Sequence, residues 1–186
     1  MSSRDLPDFP YYRDPVTDGS IAPSDERCTA CGRQRGFIFT GVAHGERVPE
    51  DGKFCPWCIS EGRAHSRLGA SFNFVGPGAS QEAEDEVKHR TPGFLTWQDW
   101  DWPTHCDDVA VYLGQPSGDE LLANRGALEA LLRDLRQWEW GRDEAYVEEF
   151  IDGLGGSQVA YLFECRLPDP ACVLGSGLTP RHAGPR

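Results

Sequence analysis

Two C-x-x-C pairs constrain this chain more than any other feature. Cys28 and Cys31 form the first pair and Cys55 and Cys58 the second, within "ERCTACGRQRGFIFTGVAHGERVPEDGKFCPWCISEG" (residues 26–62). Each pair sets two sulfurs on one tight turn, and the residues between Cys31 and Cys55 suffice for a hairpin that brings the turns together. Zinc takes four tetrahedral ligands and accepts thiolates readily. Gly32 follows Cys31, where a knuckle turn needs an open backbone. Cys55-Pro56-Trp57-Cys58 precedes "ISEGRAHSRLG", a short helix with proline in its first turn. The N–H groups at a helix start favour thiolate. Knuckle, hairpin and a cysteine pair at a helix start predict a treble-clef-like zinc module. Its four protein ligands leave no open position, so the expected zinc (Zn) is structural.

Two rivals fit less well. A dithiol redox pair at "CPWC" calls for a preceding strand in a βαβ setting, which the pattern lacks. Disulfides need an oxidising compartment. The start "MSSRDLPDFPYYRDP" has no basic region followed by an apolar run, and so does not read as a signal peptide. No apolar stretch approaches the ~20 residues that span a bilayer. The expected location is therefore a reducing cytoplasm, with no membrane partner.

Charge is unevenly placed. The net charge is −12, and residues 81–152 carry all of it, with 18 acids against 6 bases. That argues against a nucleic-acid binder, which needs a basic face for phosphates. Arg33, Arg35, Arg63 and Arg67 offer only a small local basic patch. An acidic surface suits a protein partner with a basic surface; its plainer role is solubility.

Residues 1–25, broken by Pro7, Pro10, Pro15 and Pro23, read as an extended arm whose Phe9, Tyr11, Tyr12, Val16 and Ile21 lie on the body. "RGFIFTGV" (35–42) reads as a strand, paired in a hairpin with the residues before Cys55. "GPGAS" (76–80) reads as a linker. "QEAEDEVKHR" reads as an acidic helix stopped by Thr91-Pro92-Gly93. Trp97, Trp100 and Trp102, like Trp138 and Trp140, suit a core before an interface. "VAVYLG" (109–114) reads as a strand. From Ser117, a capping signal with Glu120 opens a helix, and Leu128, Leu131, Leu132, Leu135 and Trp138 recur at helical spacing. "DEAYVEEFIDGL" reads as a second amphipathic helix ending at Gly153. "SQVAYLFECR" reads as a strand that pairs with 109–114. The Pro- and Gly-rich tail follows.

The expected fold class is α+β: a treble-clef-like zinc module packed on a helical body with a small antiparallel sheet. The expected organisation is an arm and module over 1–75, an acidic body over 81–165 and a tail over 166–186, together one compact unit. Catalytic motifs are absent: the sequence has no H-E-x-x-H, G-x-S-x-G or G-K-[ST], so no enzyme is expected. His105, Cys106, Cys165 and Cys172 are candidates for a second metal site, or for a cysteine-dependent or redox-responsive enzyme. The simpler reading makes the cysteines small buried hydrophobes, with Cys106 close to Cys165.

"LPDFPYYRDPVTDGSI", "CTACGRQRGFIFTG", "FCPWCISEG", "RTPGFLTWQ", "WPTHCDD", "YLG" and "AYLFEC" occur in an order that resembles the CbrC family. These are small bacterial proteins of uncharacterised biochemistry, linked to tolerance of a DNase colicin. The resemblance runs from about Leu6 to Cys165. It implies one fold over that span and carries over Cys28, Cys31, Cys55 and Cys58. It also implies a further cysteine near Ala110 and a compact C-terminal pair, which "CRLPDPAC" replaces here. With the acidic middle, it leads to the expectation of a zinc-stabilised immunity or toxin-tolerance protein that binds a basic nuclease-type toxin.

Overall fold

The computed structural model describes residues 6–96, 101–136, 143–166 and 177–178. The chain mixes short helices with small, mostly antiparallel sheets in an α+β arrangement. It divides into two compact units, Met1–Val111 and Tyr112–Arg186. The stretch 76–80 thus lies inside the first unit, where the Gly76 N–H donates to Trp102 O and Ala79 bridges to Asp107.

In the first unit the N-terminal arm is structural. Its strand β1 (Ile21–Pro23) pairs antiparallel with β2 (Phe37–Phe39), with Ile21 opposite Phe39. The expected hairpin between β2 and the residues before Cys55 is corrected: that side supplies a single bond, Phe39 N–H to Phe54 O at 2.8 Å. The physical reason is burial on both faces. Phe37, Ile38 and Phe39 are all buried, so the strand needs partners all round, and the apolar arm covers one side. Phe72 meets Phe39 and Phe54 edge-on at centroid distances of 5.5 and 5.6 Å, the geometry aromatic quadrupoles prefer. Phe9, Tyr11 and Tyr12 are buried as well.

The helices α1 (Pro56–Ser60) and α2 (Arg63–Leu68) follow, separated at Gly62, whose φ of 67° is left-handed. Helix α3 (Gln81–Arg90) starts where Ser80 accepts from the Ala83 N–H. It ends at Thr91, which is extended because a proline follows. Acids in its first turn and bases in its last suit the helix dipole. Strand β3 (Phe74–Val75), which precedes this helix, runs parallel to β4 (Asp101–Trp102), which follows it, and β5 (Thr104–His105) pairs antiparallel with β6 (Asp108–Val109). Trp102 is fully buried and its indole N–H donates to Ala110 O at 2.6 Å. Trp97, Trp100, Trp138 and Trp140 lie outside the described residues.

The second unit orders β7 (Val111–Gly114), β8 (Ala160–Glu164) and β9 (Gly177–Leu178) in one sheet, with β8 between the other two. The helix expected from Ser117 is two helices, α4 (Gly118–Ala123) and α5 (Arg125–Leu135). Asn124 interrupts them with φ −107° and ψ 92°, and its side chain accepts from the Ala127 N–H at 3.1 Å to begin α5. The Ser117–Glu120 capping box is present. Helix α6 (Glu144–Asp152) ends at Gly153. Leu121, Leu131, Leu135, Phe150, Ile151 and Leu154 form the helical core.

Candidate metal centre

The site is built from two turns. In the first, Gly32 N–H donates to Cys28 O at 2.7 Å and Cys28 N–H to Arg33 O at 3.0 Å. Gly32 takes φ 70° with open space where a Cβ would stand, so the turn selects glycine for its backbone, not for room. The second turn is the start of α1. Cys55 is its extended N-cap, Pro56 occupies the first helical position, and Cys58 lies one turn on. The two turns are joined on either side of Lys53. Thr29 N–H donates to Lys53 O at 2.7 Å, and Lys53 N–H donates back to the Thr29 hydroxyl at 2.9 Å. Helix α2 adds a clamp, with Arg67 Nη1 donating to Ala30 O at 2.7 Å.

The Sγ atoms of Cys28, Cys31, Cys55 and Cys58 all lie within 4.8 Å of one another. Metal–sulfur bonds of ~2.3 Å in a tetrahedron need sulfurs about 3.8 Å apart, so this donor set fits such an ion. Cys28, Cys55 and Cys58 are buried and Cys31 is half-buried. Four clustered thiols can hold a metal such as zinc.

Electrostatics prepare the site unequally. The Cys28 thiol is held far below its usual range, at about 4, first by the hydrogen bond from the Cys55 thiol. Backbone N–H groups of Cys55, Cys31 and Ala30 assist, against the opposing effect of burial. Cys55 is pushed up because it gives its proton toward Cys28 and because it is buried. Cys58 is pushed up to about 12 by burial and then by the charge at Cys28. These shifts favour the thiolate at Cys28 and the protonated thiol at Cys55 and Cys58. A bound cation would supply the charge that releases those protons.

The remaining candidates are arranged differently. Cys106 is exposed, which corrects its expected burial. It sits with Asp107 in the two-residue turn between β5 and β6, both with positive φ (55° and 59°). That turn aims side chains outward while keeping the hairpin twist. His105 Nδ1 lies 2.8 Å from Cys106 Sγ. Cys165 is half-buried in the second unit. Cys172 lies outside the described residues. Of the four arginines in the local basic patch, Arg67 clamps Ala30, Arg63 pairs with Glu61, and Arg35 lies over the Trp57 ring at 3.9 Å. They serve the module itself. Sequence reading missed the Arg67 clamp and the Thr29–Lys53 link, because both depend on folded proximity.

Fold and site together define a small α+β protein with a closed four-thiol centre at its N-terminal half. The chain belongs to an uncharacterised protein family, UPF0167, whose family model matches residues 6–171. A UPF0167 protein of Mycobacterium bovis and one of Mycobacterium tuberculosis are each 37% identical over 166 residues, covering 86% of this chain and 87% of theirs. A UPF0167 protein of Pseudomonas aeruginosa is 32% identical over 166 residues, covering 86% of this chain and 90% of its own. No solved structure matches. Among the described residues, no helix is long and apolar enough to cross a membrane.

Proposed function

We propose that this chain is a zinc-stabilised, acidic protein-binding module of the cytoplasm, of the immunity or toxin-tolerance kind, whose partner is a basic nuclease-type protein. Zinc in a treble-clef-like setting accounts for the four thiols, and metal binding there is folding energy. The observation that carries the binding reading is the charge on α6. Asp143 and Glu144 serve the helix start, where Asp143 accepts from the Ala145 N–H. Glu148, Glu149 and Asp152 are exposed further along, and the last turn holds no base. None of the three has a cationic partner among the described residues. The helix dipole disfavours acids there, so local stability does not explain them. By contrast, α3 answers its own acids at i+4, with Glu84–Lys88 and Glu86–Arg90. An uncompensated acidic helix attracts a basic surface and speeds encounter.

The test uses a purified colicin-type DNase domain as probe. Its association with the full chain should slow steeply as salt rises from about 50 to 300 mM, since steering is screened beyond ~8–10 Å. The double variant Glu148→Lys/Asp152→Lys should slow it further with the circular dichroism spectrum unchanged. Association indifferent to salt and to both reversals would remove this reading. A second reading, a cysteine-dependent enzyme, rests on the contact of His105 with Cys106. A rapidly titrating, low-pKa thiol at Cys106 would favour it.

A further inference from the structure

The first unit contains a cavity of about 220 Å³ that plays no part in the metal centre. Phe39, Phe72, Phe74 and Phe94 form its walls, and Asn73, His44 and Thr96 are its polar side chains. Three observations make it a built site. First, Asn73 is only 8% exposed, and its Nδ2 donates to Val87 O at 2.7 Å and Thr91 O at 2.9 Å. Two carbonyl acceptors on one side fix the carboxamide's orientation. Its Oδ1 must therefore face the other way, toward Gly93 and the cavity that both residues line. Second, Gly93 keeps that space open. A Cβ there would stand 2.6 Å from Phe72 O and 3.4 Å from Asn73 Oδ1. Third, the rim is apolar and exposed. Val42, Phe74 and Leu95 are 69%, 44% and 38% exposed and all line the opening. They account for three of the four large hydrophobics exposed among the described residues, and such clustering marks a binding surface. The rim is held in place by paired backbone bonds of 2.8 Å between His44 and Ser71.

We propose that this cavity binds a small, neutral, flat aromatic molecule carrying one N–H or O–H donor, which points at Asn73 Oδ1. Size sets the class. An apolar cavity of about 150 Å³ takes one benzene, so this one takes up to a bicyclic ring. Walls of phenyl rings favour an aromatic guest, and the Asn73 Oδ1 acceptor in the lining favours a guest that carries a donor. The lining holds no carboxylate, lysine or arginine, and His44 is its one titratable side chain, which fits a neutral guest. This inference goes beyond the protein-binding reading and does not depend on α6.

Indole and 1-methylindole share a ring system and differ in the donor. Titrated into the ¹⁵N-labelled full chain, indole should bind saturably, with shifts concentrated at Phe39, Phe72, Asn73 and Phe74. 1-Methylindole should bind roughly fivefold more weakly or worse. Val42→Trp, a rim change outside the core, should abolish both while the rest of the spectrum is kept. Phenol should behave as indole does, and benzene as 1-methylindole does. Equal affinities for the indole pair would overturn the role of Asn73. No saturable binding by any of the four, or binding untouched by Val42→Trp, would overturn the site.

Discussion

The backbone N–H of Cys55 points at Sγ of Cys28 across 3.3 Å. This bond joins the two halves of the metal centre before any metal enters. Residues 27 apart in sequence are thereby held in register by the protein alone. Cys28 can remain a thiolate partly because this N–H faces it. A metal bound there would complete a cluster that the backbone has already oriented.

Chain expressed in a reducing cytoplasm should therefore carry one zinc, measured by elemental analysis. Cys31→Ser should release it and lower the melting temperature of the first unit by more than about 10 °C. Cys31 is the only half-buried thiol of the four, so serine there adds little strain of its own. Stoichiometric loss of zinc without a drop in stability would show that the thiol cluster is not a structural centre.

Thiol reagents should distinguish the cysteines by place. Cys106 on its exposed turn should react within the first phase, while Cys28, Cys55 and Cys58 should stay protected until a chelator is added. Mass mapping of the first adduct decides it. First modification at the buried Cys58 would contradict the packing around α1.

The gathering of Cys28, Cys31, Cys55 and Cys58 was legible in the sequence because C-x-x-C is local and its spacing sets two sulfurs on one turn. Helix α3 was legible for a similar reason, with the Thr91-Pro92-Gly93 stop marking its end. The pairing of β2 was not, because "FIF" carries no alternation that names an outside face. Its partner, the arm strand β1, is only three residues long. The helical spacing runs through Asn124 without a break in the sequence, since its capping role shows only when the chain turns there. The exposure of Cys106 was hidden because neither Cys106 nor Asp107 announces positive φ as a glycine would. The cavity at Asn73 draws its lining from Phe39 to Thr96, and no spacing rule links those positions.

Asn124→Ala should destabilise the second unit by about 1 kcal/mol, the usual cost of losing an N-cap. Asn124→Asp should restore most of it, because a carboxylate accepts the same Ala127 N–H and suits the start of α5. Chemical denaturation of the three proteins measures this. A stable alanine variant would mean that α4 and α5 have merged into one helix.

His89 gives the fold a pH response. Burial, followed by the like charge of His65, holds its imidazole below the usual range. The two rings stack at 3.6 Å. Lys88 acts in the same direction, while Asp85 opposes it. The folded state thus favours neutral His89, and the unfolded chain protonates first. Stability is full above about pH 6.5 and falls as pH drops below that value toward the folded pKa. Asp134 has the opposite sign. Burial pushes its carboxyl up to about 6, so it favours the fold as pH falls from there toward the ordinary carboxylate range. His89→Gln should therefore flatten the acid-side loss without touching the Asp134 contribution. Proton NMR of the His89 ring should give a midpoint below 6.5, and a midpoint above it would refute the burial argument.

The charge on α6 allows a test that needs no partner. Glu144 and Glu148 are one turn apart, as are Glu148 and Asp152, and like charges at that spacing repel. Asp152 also stands in the last turn, where the helix dipole opposes it. Asp152→Lys should pair the new ammonium with Glu148 in the favourable order and complement the dipole. The two gains together should stabilise α6 by about 0.5–1 kcal/mol, raising the melting temperature by a few degrees. Salt should raise the stability of the original chain by screening the repulsion, and should do less for the variant. If the variant is more stable yet meets the DNase probe more slowly, these acids act against the fold and for association. If it is neither more stable nor slower, the acids on α6 are a solvated surface, and the partner must be sought on another face of the molecule.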